Sequence, residues 1–152
     1  KMGRVFFNTL ERIQNITADH DVLAADSGTT FIVLPAATTE INLPTPGSGA
    51  AQAGEGWNCK IILQSDAGFG GDTIMDALVN IDLSADSNNV GNIFGSDGDT
   101  GVAAVDTMDF ITCSLDASPG DTFHFLSDGT RWFVNGFVFD ASTCVFATDA
   151  AS

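Results

Sequence analysis

Short runs of alternating apolar and polar residues, each closed by a turn signal, most constrain what this chain can fold into. In residues 39–43 (TEINL), for example, the side chains alternate with the period of a half-buried β-strand. Gly, Pro, Asn and Asp separate such runs at intervals of about 8–12 residues. The pattern predicts an all-β fold, either a β-sandwich or a jelly-roll-like domain with long loops.

The clearest hairpin lies near the end of the chain. Its predicted strands are Thr122–Leu126 and Arg131–Val134, and Asp128 and Gly129 supply the turn conformation at its tip. Asn135 and Gly136 predict a second turn, which leads into a strand from Phe137 to Phe139. Further strands are expected at Thr29–Leu34, Thr39–Leu43, Trp57–Leu63 and Cys144–Phe146, whereas residues 73–83 fit either a helix or, as we favour, a strand.

The charge is unevenly distributed between a short leader and the rest of the chain. Residues 1–12 hold three cations and one acid (net +2), and the other 140 residues hold two cations and 19 acids (net −17). We therefore expect an N-terminal arm at residues 1–12 that docks on a partner, followed by one β domain at residues 13–152. A disordered or cropped terminus is the other interpretation of the leader. The arm residues that would make the contact are Lys1, Arg4, Val5, Phe6, Phe7 and Arg12.

The composition argues against two classes of partner. A formal net charge of −15 is unfavourable for binding nucleic acid or an anionic lipid surface, because both require clustered cations. No apolar run approaches the roughly 18 residues that a membrane-spanning helix needs. We expect neither nucleic acid nor a membrane as partner.

Few residues suggest catalysis. The two histidines, His20 and His124, lie outside any nucleophile signature, and His124 is expected to be an ordinary strand residue. Cys59, Cys113 and Cys144 lie far apart in apolar runs and are expected to be small buried residues, although one disulfide with a spare thiol is an alternative. The sequence therefore predicts a protein that is not an enzyme.

An acidic loop is the best candidate for a metal site. Calcium prefers carboxylate and amide oxygens from loops, but this loop lacks the spacing and closing Glu of an EF-hand. A solvated turn is therefore favoured over a calcium site, and no cofactor is expected. The candidate ligands are Asp86, Asn88, Asp97 and Asp99, with Asn89 between them.

The chain has twelve Phe and no Tyr. Because Phe buries a large area and has no polar group, these rings are expected in a core or in a subunit contact. Phe123 and Phe125 should share one face of a strand, and Phe137 and Phe139 one face of another.

Two segments resemble a pattern found in structural proteins of tailed bacteriophages. Residues 16–44 contain a DSGTTF turn and strand followed by a short strand ending in Leu-Pro, and residues 127–136 read SDGTRWFVNG. Together they cover about 39 of the 152 residues. Similar segments occur in small capsid decoration proteins and in β-rich domains of tail and fibre proteins.

The resemblance implies a capsid decoration protein that binds the outer surface of the shell and stabilises it, as a homotrimer. Its partner would be the major capsid protein, and its location the virion, after synthesis in the host cytoplasm. The alternative is a tail- or fibre-associated domain, or a carbohydrate-recognising one that uses Trp57 or Trp132 as exposed aromatics.

Overall fold

The described part of the chain consists of β-strands and turns. The computed structural model describes residues 12–64, 77–83, 89–96, 102–103 and 108–148. Its only helical element in these ranges is a 3₁₀ turn, Ala24–Asp26, so no described helix is long and apolar enough to cross a bilayer. The predicted all-β class is confirmed.

In the described ranges, twelve strands form two sheets. The large sheet contains, in spatial order, β1 (Arg12–Ile16), β3 (Thr29–Val33), β5 (Glu55–Leu63), β10 (Thr122–Asp128), β11 (Trp132–Val138), β7 (Val90–Gly95) and β8 (Val102–Ala103). The small sheet contains β12 (Cys144–Ala147), β9 (Phe110–Cys113), β6 (Val79–Asp82), β4 (Thr39–Asn42) and β2 (His20–Asp21).

The first six strands alternate between the two sheets. β1, β3 and β5 pair in parallel in the large sheet, and β2, β4 and β6 pair in parallel in the small one. The C-terminal strands then add antiparallel partners: β10 pairs with β5 and β11, and β9 pairs with β6 and β12. Both sheets are therefore mixed, whereas a jelly roll is built from antiparallel strands.

The buried side chains of both sheets belong to one hydrophobic cluster. Strand alternation supplies them: in β10 Phe123 and Phe125 point inward, and in β5 Ile61 does the same. From the small sheet Ile81 and Ile111 join the cluster, and both are fully buried. Phe123 and Phe125 share one face of β10, as alternation predicted, and that face is turned towards the core.

One predicted turn was wrong. Asn135 and Gly136 continue β11 without a break, so that the strand runs from Trp132 to Val138. A Cβ atom at Gly136 would lie 2.9 Å from Cγ1 of Ile93 and 3.0 Å from the ring of Phe123. Glycine is present here because neighbouring side chains occupy the space above the backbone, and not because the chain reverses.

The hairpin itself agrees with the prediction. β10 and β11 pair antiparallel, and Gly129 at the tip has φ +84°, a conformation that other residues resist. The favoured strand within residues 73–83 is present as β6, although residues 73–76 lie outside the described ranges. β7 was not predicted: it lies in the polar segment 84–101 and pairs in parallel with β11.

Candidate functional site

Most of the predicted arm lies outside the described residues, which begin at Arg12. Lys1, Arg4, Val5, Phe6 and Phe7 are among those not described. Arg12 is instead the first residue of β1, where its guanidinium donates to the carbonyl of Ala25 at 3.1 Å and lies 3.7 Å from the carboxylate of Asp26. Its contacts hold a strand against the 3₁₀ turn, so the described role of Arg12 is within the domain.

The acidic loop is described at one candidate residue only. Asp86, Asn88, Asp97 and Asp99 lie outside the described ranges. Asn89 is buried, and its side-chain amide donates to the carbonyl of Met108 at 3.2 Å while its oxygen accepts from the Trp132 amide at 3.4 Å. Both polar groups of the Asn89 side chain are thus hydrogen-bonded to backbone atoms. In the described ranges no group of three potential ligands of the His, Cys, Asp or Glu type comes together.

Both tryptophans are buried, which corrects the expectation that they are exposed aromatics. Trp132 has no exposed surface, and Trp57 retains 5%. Their indole N–H groups donate to backbone carbonyls, Trp132 to Leu83 at 2.8 Å and Trp57 to Ala24 at 2.9 Å. The two rings meet edge to face with centroids 5.3 Å apart. Both rings can be buried because a backbone carbonyl accepts a hydrogen bond from the one polar atom of each.

The two segments of the phage-like pattern meet around the start of β5. Ser27 Oγ accepts a hydrogen bond from the Asn58 amide at 3.3 Å, and the Gly28 amide donates to the Asn58 carbonyl at 2.7 Å. On the other side of β5, Ser127 Oγ donates to the carbonyl of Ala53 at 2.8 Å and Asp128 lies opposite Glu55. The DSG turn and the SDG hairpin are therefore fastened to the same end of one strand.

The hairpin tip is held by Asp128. Its Oδ1 accepts from the Thr130 hydroxyl at 2.7 Å and from the amides of Thr130 and Arg131 at 2.8 and 3.0 Å. These bonds lower the pKa of the Asp128 carboxyl below its ordinary value. Asp128 is therefore a turn-forming residue, as the sequence predicted.

The histidines and cysteines do not form a shared reactive cluster. His20 Nε2 lies 3.3 Å from the side-chain amide of Gln14, and His124 contacts Phe137 edge to face. All three thiols are free and buried, as predicted. Burial raises the pKa of the Cys59 thiol far above its ordinary value, which keeps it protonated and unreactive.

Asp121 is a buried carboxylate that fixes two loops. It accepts from the amide of Phe139 at 2.8 Å and from the amide of Ser118 at 3.0 Å. Burial raises the pKa of the Asp121 carboxyl, and these two hydrogen bonds offset part of that rise. Its polar atoms are directed at backbone donors, which indicates a structural role.

A shallow open depression of about 460 Å³ lies beside the start of β5. Gln52, Glu55 and Trp57 contribute to its lining, together with Ala and Gly residues. The Gln52 side chain is engaged by the Gly49 amide at 2.7 Å, and the Trp57 ring is almost fully covered. This depression offers neither a stacking platform nor converging reactive groups.

The outward surfaces of the two sheets differ in character. Outward positions of the small sheet include the acids Asp21, Glu40 and Asp82. Outward positions of the large sheet include exposed apolar side chains on β7, β10 and β11, among them Phe94 and Phe137, whose stacked rings have centroids 6.1 Å apart. Alternation predicted Phe137 and Phe139 on one face; Phe94 was missed because β7 was not predicted.

Comparisons of the chain with protein-family models, with curated proteins and with solved structures find no match.

Proposed function

We propose that this chain is a virion structural protein that binds the outer surface of a capsid shell and stabilises it, acting as a trimer and without catalysis. In this proposal its two sheets stack as a β-sandwich, the major capsid protein is the partner, and the cationic leader makes part of the contact. An oligomer binds a symmetric shell through several equivalent contacts, and these weak contacts together give a high overall affinity.

One observation carries the proposal: the two phage-like segments form a connected structural frame although some 80 residues separate them. The 3₁₀ turn next to the DSG sequence holds the indole of Trp57, and that ring packs against Trp132 of the SDGTRW sequence. If the likeness to the phage pattern were due to chance, its residues would be expected at unrelated places in the fold. Here they meet at one end of the large sheet. Since each of them forms a turn or fills the core, the shared pattern describes a building block rather than a reactive site.

The charge distribution supports the location on a shell. The described domain has acids on the outward side of the small sheet, at Asp21, Glu40 and Asp82, and these suit a surface that faces water. The cationic residues Lys1 and Arg4 belong to the leader, which would then reach a partner surface without bringing the acidic body close to it.

Copy number in intact particles is the most direct test. Mass spectrometry of purified particles should find the chain in a fixed ratio to the major capsid protein, with hundreds of copies per particle. A handful of copies would instead support the tail- or fibre-associated alternative, and absence from particles would reject a virion role.

The role of the leader is tested with a truncation designed from the structure. Removing residues 1–11 spares Arg12, whose contacts with Ala25 and Asp26 belong to the domain. The truncated chain should keep the melting temperature of the full chain but no longer sediment with shells. The matched control is Arg12→Ala, which should lower stability slightly and leave shell binding intact. If the truncated chain binds shells as well as the full chain does, the proposed role of the leader in shell binding is wrong.

The carbohydrate-recognising alternative is tested on a glycan array. With Trp57 and Trp132 buried, we expect the chain to bind no glycan. Saturable binding that a substitution in the depression beside β5, such as Gln52→Ala, abolishes would favour that alternative.

A further inference from the structure

An apolar surface covers part of the outward side of the large sheet. Adjacent strands place its side chains in register: Leu126 of β10 lies opposite Phe133 of β11, which lies opposite Val90 of β7. A second row joins Phe137 to Phe94, and Phe139 extends the surface just beyond β11. We call this surface the phenylalanine face; it consists of Val90, Phe94, Leu126, Phe133, Phe137 and Phe139.

These side chains are exposed to a degree that is unusual for large apolar residues. Phe139 has 64% of its surface exposed, Phe137 57% and Phe94 47%. With about 150–250 Å² for a large aromatic side chain, the exposed parts of the face amount to roughly 500 Å². A standard interface buries about 800 Å² per partner, somewhat more than half of it apolar. The phenylalanine face is thus large enough to form the apolar centre of one such interface.

The face is also almost free of negative charge. Between its two apolar rows lie Asn92, Asn135 and His124, and the next strand adds Lys60. Among the described outward positions of these four strands, carboxylates occur only at the hairpin end, at Asp128 and at Glu55 opposite it. In a chain with 20 acidic residues and a net charge of −15, a face whose carboxylates lie only at one end lets two copies approach with less repulsion than the acidic outward side of the small sheet does.

We infer that the phenylalanine face packs against a second copy of this chain. A second copy is the occupant that the charge favours, because carboxylates on this surface would repel a partner that has the same net charge of −15. Phe in place of Tyr or Trp fits this partner too, since a dry contact between protein surfaces needs no hydroxyl or indole N–H at its centre. The inference rests on the proposed function, for which it supplies the contact between subunits.

Partial burial and the neighbouring Lys60 lower the pKa of the His124 imidazole. Near neutral pH the centre of the face therefore carries little charge, and it can be covered at a small desolvation penalty.

The test is the oligomeric state of the full chain by analytical ultracentrifugation between about 1 and 100 µM. We expect the unaltered chain to sediment as an oligomer at about 10 µM. The double variant Phe94→Ser/Phe137→Ser should be monomeric at that concentration, with its dissociation constant raised at least a hundredfold. Both positions are exposed, so the melting temperature of the monomer should stay close to that of the parent.

Two further variants separate the face from general effects. Asn135→Asp adds one carboxylate at the centre of the face with almost no change in shape, and should also shift the equilibrium towards monomer. Asn15→Asp adds the same charge on β1, four strands and about 19 Å away, and should not. Leu115→Ser removes an apolar side chain of similar exposure (48%) outside the face and should leave the oligomer intact.

A chain that stays monomeric up to 100 µM would overturn the inference, as would an oligomer that survives both Phe94→Ser/Phe137→Ser and Asn135→Asp. Shell binding is measured separately. A monomer that binds shells would overturn the subunit contact and the trimer but leave the proposed shell binding standing. An oligomer that depends on the face and does not bind shells would overturn shell binding and leave the subunit contact standing.

Discussion

Replacing Trp132 by Phe tests how strongly one indole fastens the two sheets to each other. Trp132 belongs to β11 of the large sheet, and its N–H donates to the carbonyl of Leu83, directly after β6 of the small sheet, at 2.8 Å. The same substitution at Trp57 removes a similar hydrogen bond at 2.9 Å, but its acceptor, Ala24, belongs to a 3₁₀ turn that contains no buried residue. The two substitutions therefore remove the same chemical groups, and they differ only in how deeply the lost hydrogen bond is buried.

The structure gives the size of the expected effects. Trp to Phe removes about 40 Å² of buried apolar surface, which is worth about 1 kcal/mol. At Trp132 the Leu83 carbonyl would lose its donor beside a fully buried ring, which adds about 1–3 kcal/mol, for a total of about 2–4 kcal/mol. At Trp57 water can reach the Ala24 carbonyl, so that the total should be about 1–2 kcal/mol.

Urea denaturation followed by far-ultraviolet circular dichroism measures both losses, and calorimetry gives the melting temperatures. For a chain of this size we expect Trp132→Phe to melt about 4–16 °C below the parent, and Trp57→Phe about 2–8 °C below it. Equal losses, or a greater loss at Trp57, would refute the argument that the Trp132 hydrogen bond fastens the sheets in a dry environment.

Three further predictions concern a carboxylate, a glycine and a metal. Asp121→Ala should cost about 2 kcal/mol at pH 7, since two backbone amides lose their acceptor. Because burial raises the pKa of Asp121, the parent should gain stability relative to this variant as the pH falls from 7 towards 4, and urea titrations at both pH values would show a relative loss if the sign is wrong. Gly136→Ala should cost about 1–3 kcal/mol by overpacking against Ile93 and Phe123, and an unchanged urea midpoint would contradict the close approach. Calcium should give no heat in a calorimetric titration and no change in melting temperature; a saturable heat that Asp97→Asn abolishes would establish a site in the acidic loop.

Local sequence patterns predicted most strands but not how they pair. β3 and β5 were predicted because their apolar residues alternate or cluster between turn signals. Their parallel pairing joins residues about 30 positions apart, such as Thr29 with Cys59, and no local pattern encodes such a partner.

The incorrect predictions have identifiable physical causes. Gly136 was interpreted as a turn because glycine usually marks backbone freedom, whereas here Phe123 and Ile93 leave no room for a Cβ atom. β7 was missed because its six residues include Asn92 and two glycines, a composition that is typical of a loop. Only the fold shows that Phe94 of this segment stacks on Phe137. Burial of Trp57 depends on an acceptor 33 residues earlier in the chain, which only the fold brings near.

The candidate surface was partly predictable. Alternation predicted that Phe137 and Phe139 share one face, and both are exposed; that this face is the outward one was not predicted. That carboxylates on these strands are confined to the hairpin end could not be inferred, since it depends on which four strands become neighbours. The leader and most of the acidic loop, on which the other predictions were centred, lie outside the described residues.

The alternation of the first six strands between two sheets has a consequence for the order in which the chain can fold. β5 has β3 on one side, but its other side is filled only by β10, which is made some 60 residues later. During synthesis the first half of the chain therefore presents an open, apolar strand edge until the hairpin at residues 122–138 has emerged from the ribosome. The core can be completed only after residues 122–138 have been translated, and chains arrested before that hairpin should be substrates for chaperones or aggregate.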